Sequence, residues 1–358
     1  MPKAGIRLSF VNHRSKSMAR QGLRSRLPHC TAAYRADMFG GRVRALRAGG
    51  WMQGLEAEIE RLLAHPRFDH AAHRLAQGFL AVQAAAPRLA SQFSTQQRWL
   101  MSHAVLSHYF RGLSAGRPGL SRRDFIEQTL AHGLASRNTA TAFFVEALQY
   151  GLIQPTRAHA DFVQPAPATL QALIEWYAIH LAARDFLDGG ASAARLRDAG
   201  ESILLRLEPA TADALLSCEA IRTPPPSYGV FASVDEGGSL MDLLIAGMDM
   251  TAARDAERAP SDVTSVSALA RPFNLSRTHA GRTLAEAIAM GSIGWSGVPG
   301  RSPIWLSRGF RDEYARFQAA KLAIIGTAFA QAVAAIEPVG PGLVAAGAAY
   351  EIAESPTC

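Results

Sequence analysis

The stretch 274–295 reads NLSRTHAGRTLAEAIAMGSIGW, and 140 residues earlier 134–155 reads LASRNTATAFFVEALQYGLIQP. Each places a serine, Ser136 or Ser276, where a helix N-cap belongs, because its hydroxyl can accept a backbone N–H of the first turn. Each follows that serine with an arginine and further small or polar residues. Each then turns apolar at helical spacing; in the second copy Ala280, Leu284, Ala287 and Ile288 are predicted to face inward. Each ends on a glycine, Gly151 or Gly291, where a left-handed residue closes a helix.

The likeness extends outward. Laid together without a gap, 120–153 and 260–293 share eight of thirty-four residues: Ser121/Ser261, Ser136/Ser276, Arg137/Arg277, Ala140/Ala280, Glu146/Glu286, Ala147/Ala287, Gly151/Gly291 and Ile153/Ile293. Apolar positions match more widely, at Ile126/Val266, Phe144/Leu284 and Leu148/Ile288. Beyond the core of the repeat, Leu100/Leu240, Met101/Met241, Leu170/Phe310, Ile174/Tyr314 and Tyr177/Phe317 follow the same offset. A period this long marks a duplicated domain, since solenoid repeats are much shorter.

Within the second copy, SVSALARPF (265–273) predicts a short helix with Val266, Leu269 and Ala270 on one face. FNL turns, and the helix capped by Ser276 follows. SIGWSGVPGRSPIWLS (292–307) then alternates at Ile293/Trp295 and Ile304/Leu306 around a turn rich in Gly, Pro and Ser, which predicts a two-stranded hairpin with Arg301 near its tip. Ser307 is placed to cap a long helix carrying Phe310, Tyr314, Phe317, Leu322 and Ile325. Helix, turn, helix and hairpin in this order predict a winged helix-turn-helix. In that motif the N-terminal end of the second helix enters the major groove. An arginine there can pair with guanine, a threonine can touch a thymine methyl, and the helix dipole favours a nearby phosphate. An arginine at the hairpin tip suits a phosphate or a narrow minor groove.

The segment LSRTHAGRTLAEAIAMGSI, its hairpin and the aromatic-rich helix after it resemble a MarR-type winged helix-turn-helix regulator, over about 240–330 and again over 98–188. The resemblance implies DNA contacts at Ser276, Arg277, Thr278, His279 and Arg282, and at Arg301 in the wing. The first copy carries Ser136, Arg137, Asn138, Thr139 and Thr141 to the same places, with Arg157 and His159 in its wing. Arg137, Asn138, Arg277, His279 and Arg282 are expected to read bases; Arg122, Arg123, Arg157 and Arg301 are expected nearer phosphates. The family pattern has one winged helix per chain acting as a homodimer, whereas this chain has two, so the simplest physical reading is a covalent pseudo-dimer with two recognition helices. A further homodimer would read a longer site. The first hairpin, IQPTRAHADFVQPAP, contains three prolines and is expected to be less regular. Regulators of this type bind small ligands between dimer helices and DNA-binding lobes, so a small-molecule effector is implied, with Tyr228 and Phe231 of TPPPSYGVF placed to contribute to a pocket between the halves.

The rest of the chain bounds this picture. Residues 1–50 hold eleven Lys or Arg against one acid, Asp37, so they carry about +10 and the remaining 308 residues about −3, which together make the net +7. Residues 1–50 have no sustained hydrophobic period. They are read either as a flexible basic arm that follows phosphates, or as disordered or untranslated sequence, since Met18, Met38 and Met52 offer later starts. That segment has no apolar secretory core, and its Arg-rich, acid-poor composition would also suit a mitochondrial transit peptide. Heavy use of Ala and Arg with few Lys is read as a high-GC bacterial coding bias. Cys30, Cys218 and Cys358 form no ligand spacing, which suits a reducing compartment without a disulfide framework. The longest apolar run, 322–336, is too short to span a membrane.

The expected organisation is therefore a basic arm (1–50), a first helical and winged-helix domain (51–190), a connector with a proline-rich break (191–230), a second winged-helix domain with a long C-terminal helix (231–336) and a tail (337–358). Helices are expected near 121–131, 136–150, 167–188, 191–207 and 211–221, with a stiff break at 223–229. The fold class is mainly α with two small β-hairpin wings. His65, Asp69, His70 and His73 have no clear further ligand, His103 and His108 do not share a helix face, and no phosphate-binding glycine motif or catalytic signature occurs, so neither metal, cofactor nor enzyme activity is expected. The expected function is sequence-specific double-stranded DNA binding by a transcriptional regulator, most simply a repressor, in a bacterial cytoplasm and nucleoid. A plasmid-type replication initiator with tandem winged helices and a protein-interaction scaffold stand as alternatives.

Overall fold

The computed structural model describes residues 53–335 apart from 158, 160 and 254. The arm expected over 1–50 and the tail expected over 337–358 lie outside the described residues. The chain is mainly helical, with two small antiparallel sheets of three strands each.

Two runs of elements follow the same order. In the first, α4 (Gln96–Ser114) leads to β1 (Leu120–Ser121), α5 (Arg122–Ala131), α6 (Arg137–Gln149), β2 (Ile153–Pro155), β3 (Phe162–Pro165) and α7 (Pro167–Asp188). In the second, α12 (Gly237–Ala246) leads to β4 (Arg258–Pro260), α14 (Val266–Ala270), α15 (Arg277–Ala289), β5 (Ile293–Trp295), β6 (Ile304–Ser307) and α16 (Arg308–Ala334). The remaining helices are α1 (53–63), α2 (Phe68–Ala85), the short α3 (Pro87–Ala90), α8 (Ser192–Ala199), α9 (Leu204–Ser217), α10 (Glu219–Arg222), α11 (Pro226–Ala232) and α13 (Met250–Ala253).

The local chemistry that forms α6 and α15 is the same in both. Ser136 accepts from the Thr139 N–H and Ser276 from the His279 N–H. Ala140, Phe144 and Ala147 are buried in one, and Ala280, Leu284 and Ala287 in the other. Ile288, expected to face inward, is 37% exposed, as is its counterpart Leu148. Gly151 (φ +69°) and Gly291 (φ +73°) both take the left-handed conformation. A Cβ added to either glycine would meet nothing within 4 Å, so only the backbone opposes a side chain there. Gly291→Ala is expected to cost about 1 kcal/mol, the penalty of a left-handed non-glycine residue, read as a lower denaturation midpoint at unchanged slope.

The strands and the helix boundaries also differ from expectation. Each hairpin gains a third strand: β1 pairs with β3, and β4 with β6, so β3 and β6 are central. The prolines of the first hairpin do not shorten its ladder, which pairs three residues as the second does. Pro155 sits on the edge strand and Pro167 is the first residue of α7, both places that need no N–H. Finally, α9 runs through Pro209 where two helices were expected, and Pro226 opens α11 inside the expected break.

The ladders also fix the register of the repeat. Pro155 pairs with Val163, whereas Trp295 pairs with Ile304, so the second hairpin carries one additional residue. The offset is therefore 141 beyond it, as the N-caps Ala166 and Ser307 show. Leu173, Trp176, Tyr177 and His180 thus correspond to Tyr314, Phe317, Gln318 and Lys321. The pairings Leu170/Phe310, Ile174/Tyr314 and Tyr177/Phe317 are one residue out.

The two runs are joined by exchanged contacts. α4 packs along α9, and α12 packs along α2; α2 also packs on α7, and α9 on α16, while α7 and α16 cross each other. One apolar cluster draws on Leu62, Leu75, Leu100, Leu215, Leu240, Leu284 and Tyr314, from both halves. This reciprocal pattern is that of an isologous two-fold interface built within one chain. α16 alone among the described helices is long and apolar enough to cross a membrane, and 67% of its most apolar stretch is buried in this core.

Two buried polar clusters lie along the join. Glu208 of α9 accepts from Tyr177 Oη at 2.5 Å and meets His103 Nδ1 at 2.9 Å. Asp242 of α12 accepts from Tyr314 Oη at 2.6 Å. Burial drives the Asp242 carboxyl well above the usual carboxylate range, with the Tyr314 hydrogen bond and Lys321 opposing. Folded protein therefore holds a proton there that the unfolded chain releases, and this contribution to stability is lost as pH rises through the raised value. Asp242→Asn is expected to remove that loss: compared by thermal melting from pH 4 to 8, the wild type should fall relative to the variant by up to about 1.4 kcal/mol per pH unit.

Candidate nucleic-acid interface

The N-terminal ends of α6 and α15 form the centres of the candidate surface. Ser136, Arg137, Asn138 and Thr139 are exposed, and Thr141 is half-buried one turn on. Ser276, Arg277, Thr278 and Arg282 are exposed as well. His279 is half-buried; its Nε2 is enclosed and has no hydrogen-bond partner among the described residues. Among those residues Arg137, Arg277 and Arg282 form no ion pair and no side-chain hydrogen bond. Neither helix has an acid in its first turn. A helix N-terminus favours acids and disfavours cations, so the equivalent arginines at 137 and 277 run against the local rule in both copies.

The turn before each helix is built differently. Asn274 takes the left-handed conformation (φ +55°) before α15, and Gly133 (φ +62°) does so before α6. Leu269, Ala270 and Phe273 are buried beneath the second helix. Ser121 caps α5 through a reciprocal pair with Asp124, which fixes Arg122 and Arg123 in its first turn. Arg122 lies 5.9 Å from the Phe144 ring centroid, while Arg123 is tied to Glu127 at 2.7 Å. Among the described residues Arg123 is thus the one predicted cation already spent on a carboxylate.

The hairpin tips carry Arg157, His159 and Arg301, all exposed. The first tip is closed by Thr156, whose Oγ1 donates to the His159 carbonyl and accepts from the His159 N–H. The second is closed by Ser302, which accepts from the Gly297 N–H and donates to the Val298 carbonyl, with Gly300 left-handed. In the second hairpin Gly294 pairs with Trp305 and packs closely against its side chain: a Cβ there would come within 2.3 Å of the indole.

Two exposed cations escaped the sequence reading. Arg258 on β4 lies 4.3 Å from the Trp305 ring centroid, beside the second hairpin. Arg271 sits in the turn leading to α15. The first stands on a strand of three residues, too short to show a period; the second had no motif to mark it. The structure joins 136–139 to one helix end and 276–279 to the other, each within the same run as its hairpin tip. The histidine and aspartate set near 65–73 gathers nothing: His73 Nε2 lies 2.9 Å from the Ala246 carbonyl, and the described residues contain no group of three potential metal ligands. No protein-family model, curated protein or solved structure matches this chain.

Proposed function

We propose that the chain is a sequence-specific double-stranded DNA-binding regulator of the MarR type, acting in a bacterial cytoplasm through two winged helices in tandem. The observation that carries the reading is the repeated pairing of a capping serine with an exposed, unpaired arginine at the first position of α6 and α15. That placement costs helix stability and has no structural partner among the described residues, so it is best explained by a ligand that supplies negative charge and acceptors. Arg137 and Arg277 read base edges, Asn138, Thr278 and Arg282 flank them, and Arg157 and Arg301 reach phosphates or the minor groove. The two sites are not identical, because Thr139 stands at the position of His279 and Ala142 at that of Arg282 in the repeat.

The test is to sequence the DNA that remains with the purified protein and to titrate that fragment across a salt series. Affinity should fall steeply with salt, and Arg301→Ala should lower the slope of log K against log salt by about one. Salt-independent binding, or no preference over random duplex, overturns the proposal. A second reading is favoured by one observation: Val145, Leu148, Tyr150, Ile288 and Met290 leave apolar surface toward and just beyond the C-terminal ends of both helices. On that reading the helices dock a protein, and the same titration returns no retained DNA.

A further inference from the structure

The chain uses arginine at 34 of its 37 basic positions; its lysines are Lys3, Lys16 and Lys321. Lys321 is the one that lies among the described residues, and it is buried, at 7% exposure, where α16 crosses α7. Its Nζ lies 4.8 Å from the Phe79 ring centroid and 5.8 Å from that of Phe317. No acid comes within ion-pair distance of it and no acceptor within hydrogen-bond distance, among the described residues. Lys321 lines a cavity of about 160 Å³ walled by Trp99, Trp176, Tyr228 and Phe317, with Asp242 and Gln318 also on its surface. Tyr228 stacks on Phe317 at 4.1 Å. A cavity of this size and lining accommodates a single aromatic ring.

An arginine would serve as well or better to hold an anion here, since it is always charged and binds carboxylates in two-pronged fashion. Lysine differs in that it can give up its proton and become a nucleophile, and desolvation among apolar walls is what activates it. We propose that Lys321 Nζ captures a single-ring aromatic aldehyde in this cavity as a reversible Schiff base. The nitrogen lone pair adds to the carbonyl carbon and gives a carbinolamine. Its hydroxyl takes a proton and leaves as water, the nitrogen loses its remaining proton, and the C=N bond forms, with no oxidant or reductant needed. Asp242 supplies the proton to the departing hydroxyl. Gln318 Oε1, enclosed and without a hydrogen-bond partner among the described residues, can accept from the carbinolamine hydroxyl. Burial supports both roles, since it lowers the pKa of the Lys321 ammonium and raises that of the Asp242 carboxyl.

The inference does not depend on DNA binding. Full-length protein is incubated with benzaldehyde and sodium cyanoborohydride, digested and mapped by mass spectrometry. The expected result is a reduced benzyl adduct at Lys321, formed at least about tenfold faster than at Lys3 and Lys16 because burial leaves more of the free amine. In parallel, benzaldehyde should quench the fluorescence of the native protein through Trp99 and Trp176, and Lys321→Arg should lose both signals. Labelling confined to Lys3, Lys16 and the amino terminus, or equal rates at all three lysines, overturns it. So does benzoate binding of equal affinity in wild type and Lys321→Arg without any aldehyde adduct, which would make the cavity an anion site. The wild-type map decides the matter even where a Lys321 variant fails to fold.

Discussion

Alanine at both Arg137 and Arg277 is expected to abolish discrimination between the cognate fragment and random duplex. Each arginine that pairs with a base edge contributes about 1–3 kcal/mol of discrimination. The two side chains stand on separate helices with no shared partner, so their losses should add to about 2–6 kcal/mol. Anisotropy titrations of specific and random DNA, wild type against single and double variants, measure this directly. Thermal stability serves as the control and should not fall, since both side chains are exposed and removing a cation from a helix start relieves an unfavourable dipole contact. A double variant that still selects its fragment would show that the helix tips do not read bases.

The largest stability effect is expected at Glu208. This carboxylate is fully buried and gathers Tyr177 Oη and His103 Nδ1, so it ties α9 to α7 and α4 across the join. Burial first, and the neighbouring Glu208 second, hold the Tyr177 phenol well above its usual pKa, so Tyr177 remains a hydrogen-bond donor across the physiological range. Glu208→Ala leaves both partners enclosed and unsatisfied and opens a void, at a cost of about 3–5 kcal/mol. Glu208→Gln retains one acceptor and should cost less. Denaturant midpoints at constant slope distinguish the two, and an alanine variant within about 1 kcal/mol of wild type would mean that the cluster is not holding the halves together.

What could be read from the chain followed the range of the forces involved. The caps Ser136, Ser276 and Ser307, the closing glycines Gly151 and Gly291, and the hairpin around Arg301 are written within a few residues and were legible. β1 and β4 were not, because two or three residues show no alternation and their pairing is set by distant strands. Pro209 suggested a helix boundary. The missing bond falls on the carbonyl of Leu205, a residue 37% exposed, so the helix continues at the cost of one hydrogen bond. Pro226 was part of an expected break, yet proline suits a helix's first position. The one-residue insertion in the second hairpin was invisible because apolar residues match at either offset in a largely buried helix. The candidate arginines were found from their position, but the enclosed Nε2 of His279 and the aromatic surroundings of Lys321 come from packing between remote segments, which no local pattern encodes.

The exchange of α4 onto α9 and of α12 onto α2 has a consequence for scarcity. Two separate polypeptides arranged this way would drift apart when few copies were present, because their meeting depends on how many are in the vessel. Here the partner arrives on the same strand, and its effective abundance is set by the length of chain between the halves. A lone molecule in a large volume keeps both halves docked, and a change written into one half is never forced upon the other.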